Sequence, residues 1–150
     1  MSATKTRTIE MPIFVHASPK KVFKAISKPK LLTRWFMDRA TLTPRTGGRY
    51  SFTWEGGPTH TGKVLKFVRG RSMTLTWQWP GLERLGTTKL KLSVKSKAGG
   101  AVLTFTHTGF RTRGAWIDLY DGAILGWRYF MMNLKSVMET GHDLRSPYDW

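Results

Sequence analysis

"GWRYFMMNLKSVMETG", residues 126–141, carries five large apolar side chains, Trp127, Tyr129, Phe130, Met131 and Met132, inside a chain of net charge +16. Such a stretch can plug a core, enter a membrane or wall a pocket, and its neighbours decide which. Trp116, Tyr120 and Ala123 extend the pattern upstream, and Leu134 with Val137 or Met138 continues it downstream. Apolar residues thus recur every three to four positions over about six helical turns. Asp118, Asp121, Arg128, Lys135 and Glu139 interrupt any apolar run of membrane-spanning length, which excludes a transmembrane segment here. The spacing predicts one long amphipathic helix that follows Gly114, stops at Gly141 and lies on an apolar surface.

That surface is supplied by residues 40–109, where the period changes to two. In "GRYSFTWE" (48–55), Tyr50, Phe52 and Trp54 share one face and Arg49, Ser51, Thr53 and Glu55 the other. In "SMTLTWQW" (72–79) the apolar set is Met73, Leu75, Trp77 and Trp79, and in "TKLKLSVKSK" (88–97) it is Leu90, Leu92 and Val94. Clean alternation means an antiparallel sheet with one covered and one solvated face. Glycine-containing turns at 47–48, 56–57, 70, 81 and 99–100 separate the strands. Ahead of them, "TRTIEMPIFV" (6–15) reads as a strand that Pro12 confines to an edge. Ser18 and Pro19 then open a helix with Val22, Phe23 and Ile26 inward and Lys20, Lys21, Lys24 and Lys28 outward. Pro29 breaks it and opens a second short helix, "PKLLTRWF" (29–36), that buries Leu32, Trp35 and Phe36. With no repeat or linker, the 150 residues read as one α+β domain.

Composition narrows the chemistry. Zero Cys rules out disulfides, thiolate nucleophiles and Cys-ligated zinc. The four His, at 16, 60, 107 and 142, lack metal-ligand spacing, so neither metal nor cofactor is expected. No nucleophile elbow, phosphate loop or HExxH occurs, and Asp38, Glu55 and Glu83 are isolated. The N-terminus has no apolar core of signal-peptide length, and cytoplasmic localisation is expected. Lys and Arg number 25 against nine Asp and Glu, with 15 against three in residues 1–75. Such a field attracts polyanions, so nucleic acid is expected to bind non-specifically and an acidic protein partner is a second possibility. The lysines at 89, 91, 95 and 97 have no aromatics interleaved, unlike a base-stacking strand.

The order strand, two short helices, antiparallel strands and long C-terminal helix resembles the helix-grip fold of the START-like (SRPBCC) superfamily. Within it the chain is similar to bacterial stand-alone relatives of the C-terminal domain of the activator of Hsp90 ATPase. The carrying segments are "ASPKKVFKAISKPKLLTRWF" (17–36), "PRTGGRYSFTW" (44–54), "GKVLKF" (62–67), "LTW" (75–77), "LTFTHTGF" (103–110) and "GWRYFMMNLKSVME" (126–139). The resemblance implies a curved sheet gripping the long helix, with an apolar cavity between them that in relatives admits lipids, polyketides or other hydrophobic molecules. It also implies a link to the stress response.

The candidate site follows from both lines. Trp127, Phe130 and Met131 on the helix oppose Phe52, Trp54, Trp77, Trp79 and Phe105 on the sheet. Bulky rings and adaptable Met seldom fill a curved interior tightly. Strict alternation sends His107 inward beside Phe105, where its imidazole must find a hydrogen bond. His60 and Tyr50 complete the set of polar contacts, with Arg128 a further candidate, although a satisfied structural histidine is the commoner case for either imidazole. The expected function is binding of a hydrophobic or amphipathic small molecule. The alternatives are a co-chaperone-type interaction module meeting an acidic partner, and a cyclase- or hydrolase-type enzyme using the same cavity.

Overall fold

A computed structural model describes residues 5–145. The period-two segments form seven strands: β1 (Thr6–Val15), β2 (Arg39–Leu42), β3 (Arg49–Thr53), β4 (Thr59–Val68), β5 (Ser72–Trp77), β6 (Thr88–Lys97) and β7 (Gly100–Arg111). They make one open, curved antiparallel sheet of order β1-β7-β6-β5-β4-β3-β2. Pro12 indeed sits in an edge strand, because β1 pairs only with β7. The helices are α1 (Pro19–Ser27), α2 (Pro29–Leu32) and α3 (Ala115–Thr140). This is the helix-grip arrangement, with α3 laid across the covered face of the sheet. Among the described residues no helix is long and apolar enough to cross a membrane.

Local chemistry explains the element ends. The Ser18 hydroxyl accepts from the Lys21 N–H at 3.2 Å and caps α1, with Pro19 in the first turn. α3 stops at Gly141, whose φ of 78° places it in the left-handed region open to glycine. The second short helix ends earlier than its sequence suggests. After Leu32 the chain tightens into i→i+3 bonds, Arg34 N–H to Leu31 and Trp35 N–H to Leu32, and so reaches Trp35 and Phe36 as turns. β5 likewise ends at Trp77, two residues short of the alternating run, as the chain approaches Pro80, which has no N–H to donate.

The core lies between α3 and the inner face of the sheet. Phe52, Met73, Leu75, Leu90, Leu103 and Phe105 come from the strands and Trp116, Trp127, Met131 and Leu134 from α3, all buried. Gly62 is required by a close approach: a Cβ there would fall 2.6 Å from the Tyr50 ring, which crosses β4 to donate its hydroxyl to the Thr76 carbonyl.

Two polar devices fix the turn after α2, one to α1 and one to α3. Trp35 donates its indole N–H to the Ala25 carbonyl at 2.9 Å, locking the α2 turn onto α1. Asn133, fully buried on α3, donates to the Trp35 carbonyl at 2.8 Å and accepts from the Leu144 N–H at 2.7 Å. Arg145 then donates to the carbonyls of Thr33 and Met37. The stretch after α3 is thereby tied to the turn that carries Phe36, and Phe36 faces the site.

Candidate functional site

Near the middle of α3 the sheet and helix part to leave a cavity of about 410 Å³. Its walls are Trp54 just past β3, His60 from β4, Trp77 from β5 and Trp79 just beyond it. Phe36 and Pro58 close one side, and α3 contributes Gly122, Ala123, Gly126, Trp127 and Phe130. Every large side chain here is aromatic. Phe36 is the hub, with ring centroids 5.1 Å from Trp54, 5.5 Å from Trp127 and 4.8 Å from Phe130. These are edge-on or tilted contacts, which suit the ring quadrupoles but leave gaps that aliphatic side chains would fill.

The gap exists because of what α3 withholds. At positions 122, 123 and 126 the helix offers Gly, Ala and Gly, and a Cβ built on either glycine meets nothing within 4 Å. Glycine inside a helix costs about 1 kcal/mol relative to Ala, so the two positions trade helix stability for empty space.

Polar atoms at the cavity are few and their roles are set by neighbours. His60 is buried and stacks on Trp77, with centroids 4.1 Å apart and planes at 18°. Its Nδ1 donates to the Gln78 carbonyl at 2.8 Å, since a carbonyl can only accept. Burial lowers the His60 pKa, the Gln78 carbonyl opposes that in part, and the ring is therefore neutral at pH 7 with Nε2 an acceptor. Nε2 has no partner among the described residues, and neither do the indole N–H groups of Trp77 and Trp79. Trp54 and Trp127, by contrast, are committed: they donate to the Phe36 carbonyl at 2.9 Å and to His107 Nδ1 at 3.1 Å.

Six of the residues read from sequence as candidate contacts line the cavity: Trp54, His60, Trp77, Trp79, Trp127 and Phe130. The other five, Tyr50, Phe52, Phe105, His107 and Met131, lie outside the lining, all buried in the core. Tyr50 spends its hydroxyl on Thr76, and burial pushes that hydroxyl up from its ordinary pKa. His107 is sealed under Trp79 and Phe110, at ring separations of 5.7 and 4.3 Å. Because its Nδ1 accepts from Trp127, its Nε2 carries the proton and donates to Thr88 Oγ1 at 2.7 Å, and Thr88 donates to the Trp77 carbonyl at 2.9 Å. This chain ties α3 to β5, β6 and β7 with every atom satisfied, which is the structural role for this histidine. Arg128 is exposed on the far side of α3. The sequence reading missed Phe36, Pro58 and the three small helix positions. The pair Gly122 and Gly126, one turn apart in a helix, was the available signal.

The sequence of residues 16–139 matches the model of the family described as activator of Hsp90 ATPase homolog 1-like protein. The chain belongs to this family. Solved structures share the fold. Protein MLL2253 from Mesorhizobium loti is 21% identical, with a TM-score of 0.78 over 91% of this chain and 99% of that one. The Aha1 dimer from Colwellia psychrerythraea is 20% identical, with a TM-score of 0.75 over 90% and 98%. CalU16 from Micromonospora echinospora is 19% identical, with a TM-score of 0.68 over 93% and 78%. At these identities the likeness is one of fold. No curated protein matches the sequence.

Proposed function

We propose that this activator of Hsp90 ATPase homolog 1-like chain is a single binding domain, and that its aromatic cavity holds a flat apolar molecule bearing a hydroxyl group. The observation that carries the reading is the cavity's inventory. About 410 Å³ lies within the range of small-molecule sites and is walled almost wholly by rings, which favours a planar guest over a flexible chain. His60 Nε2, an unpaired side-chain acceptor among the described residues of the lining, calls for a donor on the ligand, and the free N–H groups of Trp77 and Trp79 can meet an oxygen. No Ser, Thr, Asp, Glu or Lys joins His60 in the lining, so the arrangement offers one proton acceptor and no nucleophile. That favours binding over hydrolysis or cyclisation.

Matched probes test it. 2-Naphthol can donate to His60, whereas 2-methoxynaphthalene cannot, and the acceptor left unpaired by the ether is penalised. Titration followed by tryptophan fluorescence should give 2-naphthol a Kd lower by about tenfold, equivalent to ~1.4 kcal/mol. In His60→Phe, which keeps a ring against Trp77, the two affinities should converge. Failure of both probes to bind overturns the cavity reading, and equal binding to the parent chain overturns the role of His60.

A further inference from the structure

A second concavity, of about 670 Å³, lies between α1 and the loops that follow β2 and β4. His60 and Phe67, which mark the two sites on β4, are seven residues apart in the strand, or about 20 Å. The floor is apolar: Phe23 and Leu42 are buried, Phe67 is half-buried, and the Phe23 and Phe67 rings meet edge-on at 5.6 Å. The rim is cationic, formed by Lys20, Lys24, Lys28 and Arg69.

Three features separate this rim from an ordinary solvated surface. Lys20 and Lys24 stand at i and i+4 on α1, where like charges repel, and Lys28 follows as the residue that ends the helix. None of the four cations makes a salt bridge or side-chain hydrogen bond among the described residues, and no Asp or Glu lines the groove. The charges also ring an apolar floor along which the lysine stems can lie, so head and tail of one guest would be recognised together. A bare polyanion would satisfy the rim and leave Phe23 and Phe67 against water. A neutral apolar molecule would leave the repulsion between the lysines unrelieved.

We propose that this groove is a binding site for a free anionic amphiphile, with a phosphate, sulfate or carboxylate head held by Lys20, Lys24, Lys28 and Arg69 and a short apolar tail on Phe23, Leu42 and Phe67. The site is independent of the aromatic cavity and of any ligand held there.

Octyl phosphate below its micellar concentration is the probe, titrated into the whole chain and followed by amide NMR. Saturable shifts should centre on α1, residues 42–44 and residues 67–70, with inorganic phosphate weaker by about tenfold or more because it has no tail. Octyltrimethylammonium should not bind. In Lys24→Glu/Lys28→Glu, one half-buried and one exposed position whose folding is checked by thermal unfolding, octyl phosphate affinity should fall by at least about tenfold. Binding of 2-naphthol in the aromatic cavity should be unaltered. Equal affinities for inorganic and octyl phosphate, shifts centred on Trp54 and Trp77, unchanged affinity in the folded double variant, or response only to vesicles of acidic phospholipid would each overturn the proposal.

Discussion

Replacing Gly126 with Leu should abolish most 2-naphthol binding, by about a hundredfold or ~2.7 kcal/mol, and should leave the fold at least as stable as the parent. The side chain would grow into space, since a Cβ at 126 meets nothing within 4 Å. The helix would also gain by losing an internal glycine, worth up to about 1 kcal/mol. Met131→Trp is the control with the opposite outcome. Met131 is 3% exposed and stands outside the lining, so added volume there overpacks the core and should cost about 1–3 kcal/mol. Thermal unfolding and fluorescence titration of the two variants read both effects. A Gly126→Leu chain that still binds 2-naphthol at parental affinity would remove the cavity from consideration.

Acid should destabilise the fold through His107 well before it does so through carboxylates. Burial lowers the His107 pKa from 6.5 to about 3, so the folded state holds the ring neutral while the unfolded chain protonates it near 6.5. A depressed histidine contributes stability that is complete above pH 6.5 and is lost progressively as pH falls toward 3. His60, lowered in the same sense, adds to the slope. Asp143 acts in a separate window: hydrogen bonding to Arg145 holds its pKa down from 3.8 to about 2, so its contribution is lost only below about pH 3.8. Denaturant unfolding should therefore show little change from pH 7.5 to about 6.5 and a steady fall in stability from there to pH 4. His107→Gln should flatten that slope while costing about 1–3 kcal/mol at pH 7.5, where the Trp127 N–H and Thr88 hydroxyl lose their partner. An equally steep acid slope in the variant would mean that other groups carry it.

Where periodicity spoke, the sequence was a good guide. The alternation of Tyr50, Phe52, Met73, Leu75, Trp77, Leu90 and Leu92 located the covered face of the sheet, and the three-to-four spacing from Trp116 to Leu134 located α3. The same alternation put His107 inside, where it is fully buried. Periodicity assigns a face, however, and cannot say whether a residue on that face meets another side chain or a void. Phe105 and Met131 share the apolar register with Trp77 and Trp127 yet sit where packing is complete. The void is set by absent atoms at Gly122 and Gly126 and by Phe36, which arrives from a turn more than eighty residues away in the chain. The Asn133 tie to Trp35 was hidden for a related reason: an Asn on a helix announces no partner, and its bonds reach across 98 residues.

The indole N–H resonances of the parent chain test the ligand site most directly. Trp35, Trp54 and Trp127 are hydrogen-bonded to Ala25, Phe36 and His107, whereas Trp77 and Trp79 line the cavity with free N–H groups among the described residues. On titration with 2-naphthol, the Trp77 and Trp79 signals should move along one saturable curve while Trp35, buried outside the lining with its indole N–H on the Ala25 carbonyl, stays fixed. Signals that do not move, or that move equally at Trp35 and Trp77 without saturating, would contradict the assignment of this cavity as a ligand site.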